Sequence, residues 1–220
     1  MQLFLDSANT ADWHLPAGCP PLAGVTTNPT LVYQAGLPVT LATYLGLIDA
    51  AVTRKIPVLM LQIPHSEVAR GLAMAHTLHA AAGVQVKLTF KLPCHPDWQA
   101  LHSALRGAGF STLFTGLSNA MQLLWAQSQQ ASYVAPYLAR LAADGRDVSA
   151  LIQACVAVQN AGGPKLMAAS VKTADLLCQL LATGAAAVTV KHEFAASLAQ
   201  DALANAAFAQ FERDIAASGG

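Results

Sequence analysis

What the chain has little of narrows its class before any motif is considered. Only 11% of its 220 residues are charged, and 12 Lys and Arg balance 12 Asp and Glu. No broad basic face is available for a phosphodiester backbone, which excludes nonspecific nucleic-acid binding. Apolar runs are short, and even the richest, AAVTRKIPVLMLQIP, is cut by Arg54 and Lys55. Nothing approaches the roughly 18 residues of a membrane span. The start, MQLFLDSAN, lacks a basic segment and meets Asp6 at once, which argues against a secretory leader and for a cytoplasmic protein. Cys19, Cys94, Cys155 and Cys178 form no CxxC or other metal-like spacing and read as small hydrophobes. Neither GxGxxG nor GxxxxGK[ST] occurs, so an open nucleotide-binding sheet loses its usual chemical support.

What is present is apolar and periodic. Hydrophobic residues make up 54% of the chain, and 45 residues are alanine, enough for a full core and too apolar for disorder. So few charges cannot coat a lone monomer, which predicts a homo-oligomer. Eight β-rich runs are spaced along the chain, at 2–6, 22–27, 57–63, 84–90, 110–115, 132–137, 165–170 and 186–190. Between them lie helical stretches at 39–52, 66–82, 97–107, 118–129, 147–161 and 173–182, with starts marked by Ser66–Glu67 and Asp97 and ends by Gly83, Gly109 and Gly184. Eight units of about 27 residues predict an α/β fold: a single-domain (β/α)8 TIM barrel over 1–220. Alanine-rich helices at 193–203 and 204–217 form a C-terminal extension. An open doubly wound sheet shares the alternation; the count of eight and the placement of polar residues favour the barrel.

Those polar residues collect at one end of the runs: Asp6, Thr26 with Asn28, Gln62, Lys91, Thr115, Tyr137 and Ser170. In a barrel they meet at one mouth. Two-residue alternation puts Lys87, Thr89 and Lys91 on one face, and pairs Phe4 with Asp6, Met60 with Gln62, and Ala168 with Ser170. Lys91 has two readings. Surrounded by barrel wall, its ammonium is disfavoured and the amine becomes a nucleophile toward carbonyl carbon; just past a strand end, it is an ordinary solvated lysine. Lys87, about 13 Å earlier on the strand, belongs to the bottom of the lumen or to an internal ion pair.

Each remaining candidate also carries a structural alternative. Asp6 is a proton acceptor and orienter, or the cap of the turn that follows. Tyr137 is a donor to a developing alkoxide, alone or through water held by Gln62 and Thr115, or a packed phenol. In TTNPT, Pro29 stiffens a loop that presents Thr26, Thr27 and Asn28. Ser170 and Lys172, ahead of a helix N-terminus, form an anion site that Arg140 closes, or Arg140 and Lys172 are rim charges. His76 and His79 share a helix face, while His65, His95, His102 and His192 are scattered without a carboxylate frame, so no metal site is expected. His95 and His192 lie beyond strand ends, in reach of the mouth or in surface loops.

The segments LFLDSAN, GVTTNPT, KLPC, YVAPY and AASVKT resemble the small transaldolase family, especially its fructose-6-phosphate aldolase branch, over nearly the whole chain. The resemblance implies a compact (β/α)8 barrel in which Lys91 forms a Schiff base with a ketose donor, with no metal or organic cofactor. It implies that Asp6, Thr26 and Asn28 contact donor hydroxyls or support proton transfer. By the same likeness Gln62, Thr115 and Tyr137 hold a catalytic water, and Arg140, Ser170 and Lys172 bind the phosphate of the aldehyde acceptor. The substrates implied are small ketose and aldose phosphates, and the assembly is ring-like, a decamer in which C-terminal helices cross to neighbours. Gln62 stands where transaldolases tend to have glutamate, which leans toward aldol cleavage. Transfer of dihydroxyacetone between sugar phosphates, and a non-catalytic sugar-phosphate-binding barrel, are the other functions carried forward. The chain departs from the family pattern at KLPCH, TGLS, LAADGRD and QIPHS, and at Lys191–His192, which replace a proline-containing end to the eighth run.

Overall fold

The structure is a computed structural model and describes residues 1–219. Eight parallel strands pair in chain order and the last returns to the first: β1 Gln2–Asp6, β2 Gly24–Thr26, β3 Val58–Gln62, β4 Lys87–Pro93, β5 Ser111–Leu117, β6 Tyr133–Pro136, β7 Lys165–Ala168 and β8 Ala187–Val190. The closed barrel predicted from the alternation is therefore the fold. Around it run α1 Pro29–Gln34, α2 Leu41–Thr53, α3 Val68–Ala82, α4 Gln99–Gly107, α5 Ala120–Ser128, α6 Leu138–Ala143, α7 Val148–Asn160 and α8 Ala174–Thr183. The C-terminal pair is α9 His192–Ala199 and α10 Ala202–Ala217, divided at Asp201, whose side chain accepts from the Ala204 amide. No helix among the described residues is long and apolar enough to cross a membrane.

The strand register shows which side chains share a level in the lumen. Phe4 lies opposite Gly24, Thr26 opposite Met60, Gln62 opposite Lys91, and Lys91 opposite Leu113, with Leu113 opposite Tyr133 in turn. Because the strands tilt, register partners descend by about one residue per strand, so alternate strands fill each layer. Phe4, Met60, Leu113 and Met167, from the odd strands, form one apolar layer, all within 1% of complete burial. Directly above them the even strands supply Thr26, Lys91, Ala135 and Thr189. Asp6, Gln62 and Thr115 follow on the odd strands. The lumen is thus plugged below Lys91 and polar from that level upward.

Several boundaries differ from the sequence reading. The fourth strand begins and ends three residues later than 84–90, so Lys91 lies inside the sheet and not at its edge. Two short helices, α1 and α6, stand where loops were expected. In particular, Pro29 opens α1, its fixed φ and missing N–H suiting the first helical turn, and Asn28 caps it. In β7 the inward phase is the reverse of that predicted: Met167 faces the lumen, whereas Ala168 joins the outer core. Cys94 and Cys155 are buried hydrophobes as expected, with burial pushing their thiols up to about 11 and about 12, but Cys178 is exposed on α8.

Gly24 shows how tightly the strands close. A Cβ there would lie 2.2 Å from the Val58 carbonyl oxygen and 2.8 Å from the Phe4 ring. Neither backbone nor a fully packed ring can yield that distance cheaply. Gly24→Ala is expected to destabilise the fold by roughly 1–3 kcal/mol, read as a lower urea midpoint at unchanged slope.

Candidate active site

Lys91 is 4% exposed, held by β4 between Gln62 of β3 and Leu113 of β5. Burial pulls its pKa below the ordinary 10.5, and the nearby Asp6 charge opposes this without overcoming it. A lysine in that setting gives up its proton more readily and gains a nucleophilic amine. The solvated-lysine reading fails because the strand continues past it to Pro93. Lys87, by contrast, is exposed at the first position of β4, at the opposite mouth, and in neither of the salt bridges found among the described residues. The ion pair considered for it is not formed.

A one-way hydroxyl chain runs beside the lysine. Thr26 Oγ1 donates to Asp6 Oδ1 at 2.8 Å and lies 2.7 Å from Thr189 Oγ1. Its single proton goes to the carboxylate, so Thr189 donates to Thr26. Asp6 does not cap the following turn. That role falls to Asn9, which accepts from the Ala11 amide, while Ser7 and Asn9 donate to Asp12. Asn28 is divided between two tasks: its Oδ1 accepts from Leu31 N at 3.0 Å to cap α1, leaving its amide protons for a ligand.

Across the mouth, Thr115 Oγ1 donates to the Tyr137 hydroxyl at 2.7 Å. The Tyr137 oxygen is thereby an acceptor, and its own proton stays free to donate. Burial raises the pKa of this phenol, as does the Asp6 charge to a smaller extent; the Thr115 bond and Arg140 oppose the shift. Arg140, on α6, lies over the Tyr137 ring at 4.7 Å, within cation–π range. Gln62 is positioned from outside the barrel, where the buried Tyr44 of α2 donates to its backbone carbonyl at 2.8 Å.

One cavity of about 440 Å³ gathers Asp6, Asn28, Tyr137, Arg140, Ser170 and Lys172. Thr189, not named from sequence, and Lys191, noted there only as a departure from the family pattern, line it too. Lys91, Thr26, Gln62 and Thr115 belong to the adjoining barrel layers rather than to its lining. Ser170 reaches the cavity through a left-handed turn, φ +58°, after β7. This unusual conformation for a residue with a Cβ redirects the chain where plain alternation would have failed. Its carbonyl accepts from Ala139 N, tying β7 to the start of α6. The helix after Lys172 is already capped by Thr173, which accepts from the Leu176 amide.

The histidines divide differently. His192 lines a second cavity of about 440 Å³ that shares Asp6 and Lys191 with the first, and its ring packs on His14 at 4.9 Å. His95 is exposed and accepts from the Asp97 amide, outside both cavities. His76 and His79 pack edge-on against Phe110. Among the described residues, no three of His, Cys, Asp and Glu gather as a metal site. A wider open depression of about 1080 Å³ surrounds Lys87 and Lys165 at the strands' N-terminal ends. It contains no residue of the Lys91 layer, and in parallel barrels chemistry resides at the other face.

The closed parallel barrel, with polar layers and a buried lysine toward the C-terminal ends of its strands, defines a (β/α)8 enzyme-type scaffold. The family model Transaldolase/Fructose-6-phosphate aldolase matches residues 3–218, and the chain belongs to that family. Membership in this class I aldolase family supports catalytic activity and is consistent with Schiff-base chemistry on sugar phosphates.

The burial of Lys91 has a consequence for stability. A lysine whose pKa is lowered on folding binds fewer protons in the folded state, so its penalty is fully present below the depressed value and fades as pH rises from there to 10.5. Lys91→Met is therefore expected to be more stable than the wild type at neutral pH. The margin should narrow toward pH 10.5, as read by urea unfolding across pH.

Proposed function

We propose that the protein is a class I aldolase that cleaves or forms the C3–C4 bond of fructose 6-phosphate, or a related ketose, through a Schiff base on Lys91. The observation that carries this reading is the burial of Lys91 beside Asp6 in the layer beneath the polar mouth. The neutral amine attacks the ketose C2 carbonyl, and loss of water gives an iminium, an electron sink for the C3–C4 bond. A water held by Gln62, Thr115 and Tyr137 takes the C4 hydroxyl proton as that bond breaks, the aldehyde leaves, and its electron pair becomes the enamine. The same relay returns the proton to C3, and hydrolysis of the imine frees dihydroxyacetone and Lys91. Asp6, Thr26 and the free amide of Asn28 hold the donor hydroxyls, while Arg140, Ser170 and Lys172 bind the acceptor phosphate. No cofactor or metal enters this cycle.

Gln62, standing where transaldolases tend to have glutamate, favours aldol cleavage over transfer. The two activities part on one measurement: the aldolase releases free dihydroxyacetone without an added acceptor, and the transaldolase does not. A cytoplasmic location belongs to the same reading.

Borohydride reduction in the presence of dihydroxyacetone or fructose 6-phosphate should attach the donor to the peptide containing Lys91. Lys91→Met should abolish both labelling and cleavage. Labelling elsewhere, or none, would overturn the assignment, and phosphate-sugar binding without trapping would favour a non-catalytic barrel. Tyr137→Phe, which leaves the packing but removes the donor, should lower kcat by about 10²–10⁴-fold.

We also infer a homo-oligomer. All of α10 is exposed on its own barrel, and Phe208, Phe211 and Ile215 share one helix face with no core beneath it. The mass in solution should be a multiple of the chain's, and Phe208→Asp with Phe211→Asp should reduce it. A monomeric wild type would refute this.

A further inference from the structure

Five charged side chains line the mouth cavity. Arg140, Lys172 and Lys191 are positive, and Asp6 and Glu193 are negative. None of them is ion-paired among the described residues, where the close charged contacts are Arg146–Asp144 and, were the imidazole protonated, His95–Asp97. Arg140 and Lys172 alone are balanced by the two carboxylates. Lys191 thus decides whether the formal sum of the lining is positive or zero.

The register also places Lys191 where it can act. Thr189 points into the lumen and touches Thr26, and Val190 is buried in the outer core. Lys191 continues with extended backbone, φ −72° and ψ 151°, so alternation returns its side chain to the lumen side, two residues above Thr189. That level is shared with Asn28 and Tyr137. The ends of β6 and β8 are two strand spacings apart, about 10 Å, with Ser170 between them. Tyr137, with the Arg140 guanidinium over its ring, and Lys191 therefore stand at the strand ends that flank β7, and Lys191 makes no side-chain hydrogen bond among the described residues that would hold it elsewhere.

Resting on the reading of this mouth as a sugar-phosphate site, we propose that Lys191 determines specificity: it is the third cation on the substrate phosphate and gives the cavity its positive sign, selecting phosphorylated ketoses and aldehydes over neutral ones. A phosphate monoester carries a charge of about −1.5 to −2 at neutral pH, and Asp6 and Glu193 repel it. Lys191 adds to the attraction of Arg140 and Lys172, whose formal charge those two carboxylates offset. It acts on the end of the substrate away from the C3–C4 bond, so its contribution falls on binding rather than on bond cleavage.

The test is an equilibrium titration of inorganic phosphate into the full chain, joined to kcat/KM for fructose 6-phosphate and for fructose. Lys191→Ala should weaken phosphate binding by roughly tenfold, the size of one charge-assisted hydrogen bond. It should lower the phosphorylated-to-neutral selectivity by a similar factor, chiefly through KM. Lys191→Arg should restore both. Lys165→Ala removes the same formal charge from the opposite mouth and should change neither. Phosphate binding that is indifferent to Lys191→Ala, or equally weakened by Lys165→Ala, would overturn the proposal. Labelling at Lys91 together with such indifference would remove the role of Lys191 and leave the Schiff-base reading intact. Lys191-dependent phosphate binding in a protein that cannot be labelled at Lys91 would do the reverse.

Discussion

The stagger of about one residue per strand is the constraint from which the rest of this molecule follows. Closure at eight strands with that stagger makes odd and even strands contribute to different levels. The two populations then carry different chemistry. Odd strands deliver Phe4, Met60, Leu113 and Met167 to a dry floor, and even strands deliver Thr26, Lys91, Ala135 and Thr189 just above it. A shift of one residue in any pairing would exchange polar and apolar side chains between lumen and outer core. Gly24 guards this arrangement where β2 passes close to Val58 and Phe4 and a Cβ would not fit.

The floor and the polar wall oppose each other energetically. Apolar neighbours withdraw solvent from the Lys91 amine and disfavour its charge, while Asp6 pulls the other way. Burial prevails, while the Thr26, Thr189, Thr115 and Tyr137 hydroxyls of the wall are tied to one another or to Asp6. Thr189 donates to Thr26, Thr26 to Asp6, and Thr115 to Tyr137. A buried polar group is expensive only when unpaired. The paired part of the wall, Thr189–Thr26–Asp6 and Thr115–Tyr137, is therefore a set of oriented dipoles that need little reorganisation when charge moves during a reaction.

Much of this was legible in the chain itself. Period-two alternation in QLFLD and VKLTFK brings Asp6 and Lys91 to the lumen, and the eight-fold spacing of β-rich runs gives the barrel. What escaped had local causes. The start of the fourth strand was drawn too early because VQV is as β-prone as the true strand, which moved Lys91 from the sheet to its edge. The phase of β7 was misread because Met167 and Ala168 are both apolar and offer no contrast between faces. Ser170 still reaches the mouth, through a left-handed turn that no periodicity announces. Proline after Asn28 looked like a loop signal, yet proline suits the first turn of a helix equally well. Lys191 was noticed only as a departure from a familiar pattern; its place at the mouth required the register of β8.

Asn28 shows how one side chain can join fold and recognition. Its carbonyl is tied to the Leu31 amide, so the side chain cannot flip end for end as a free asparagine can. The amide is left pointing outward as a donor of fixed polarity. Any group that meets it must arrive as a hydrogen-bond acceptor, and a ligand presenting only a donor at that point is rejected by the same bond that starts a helix.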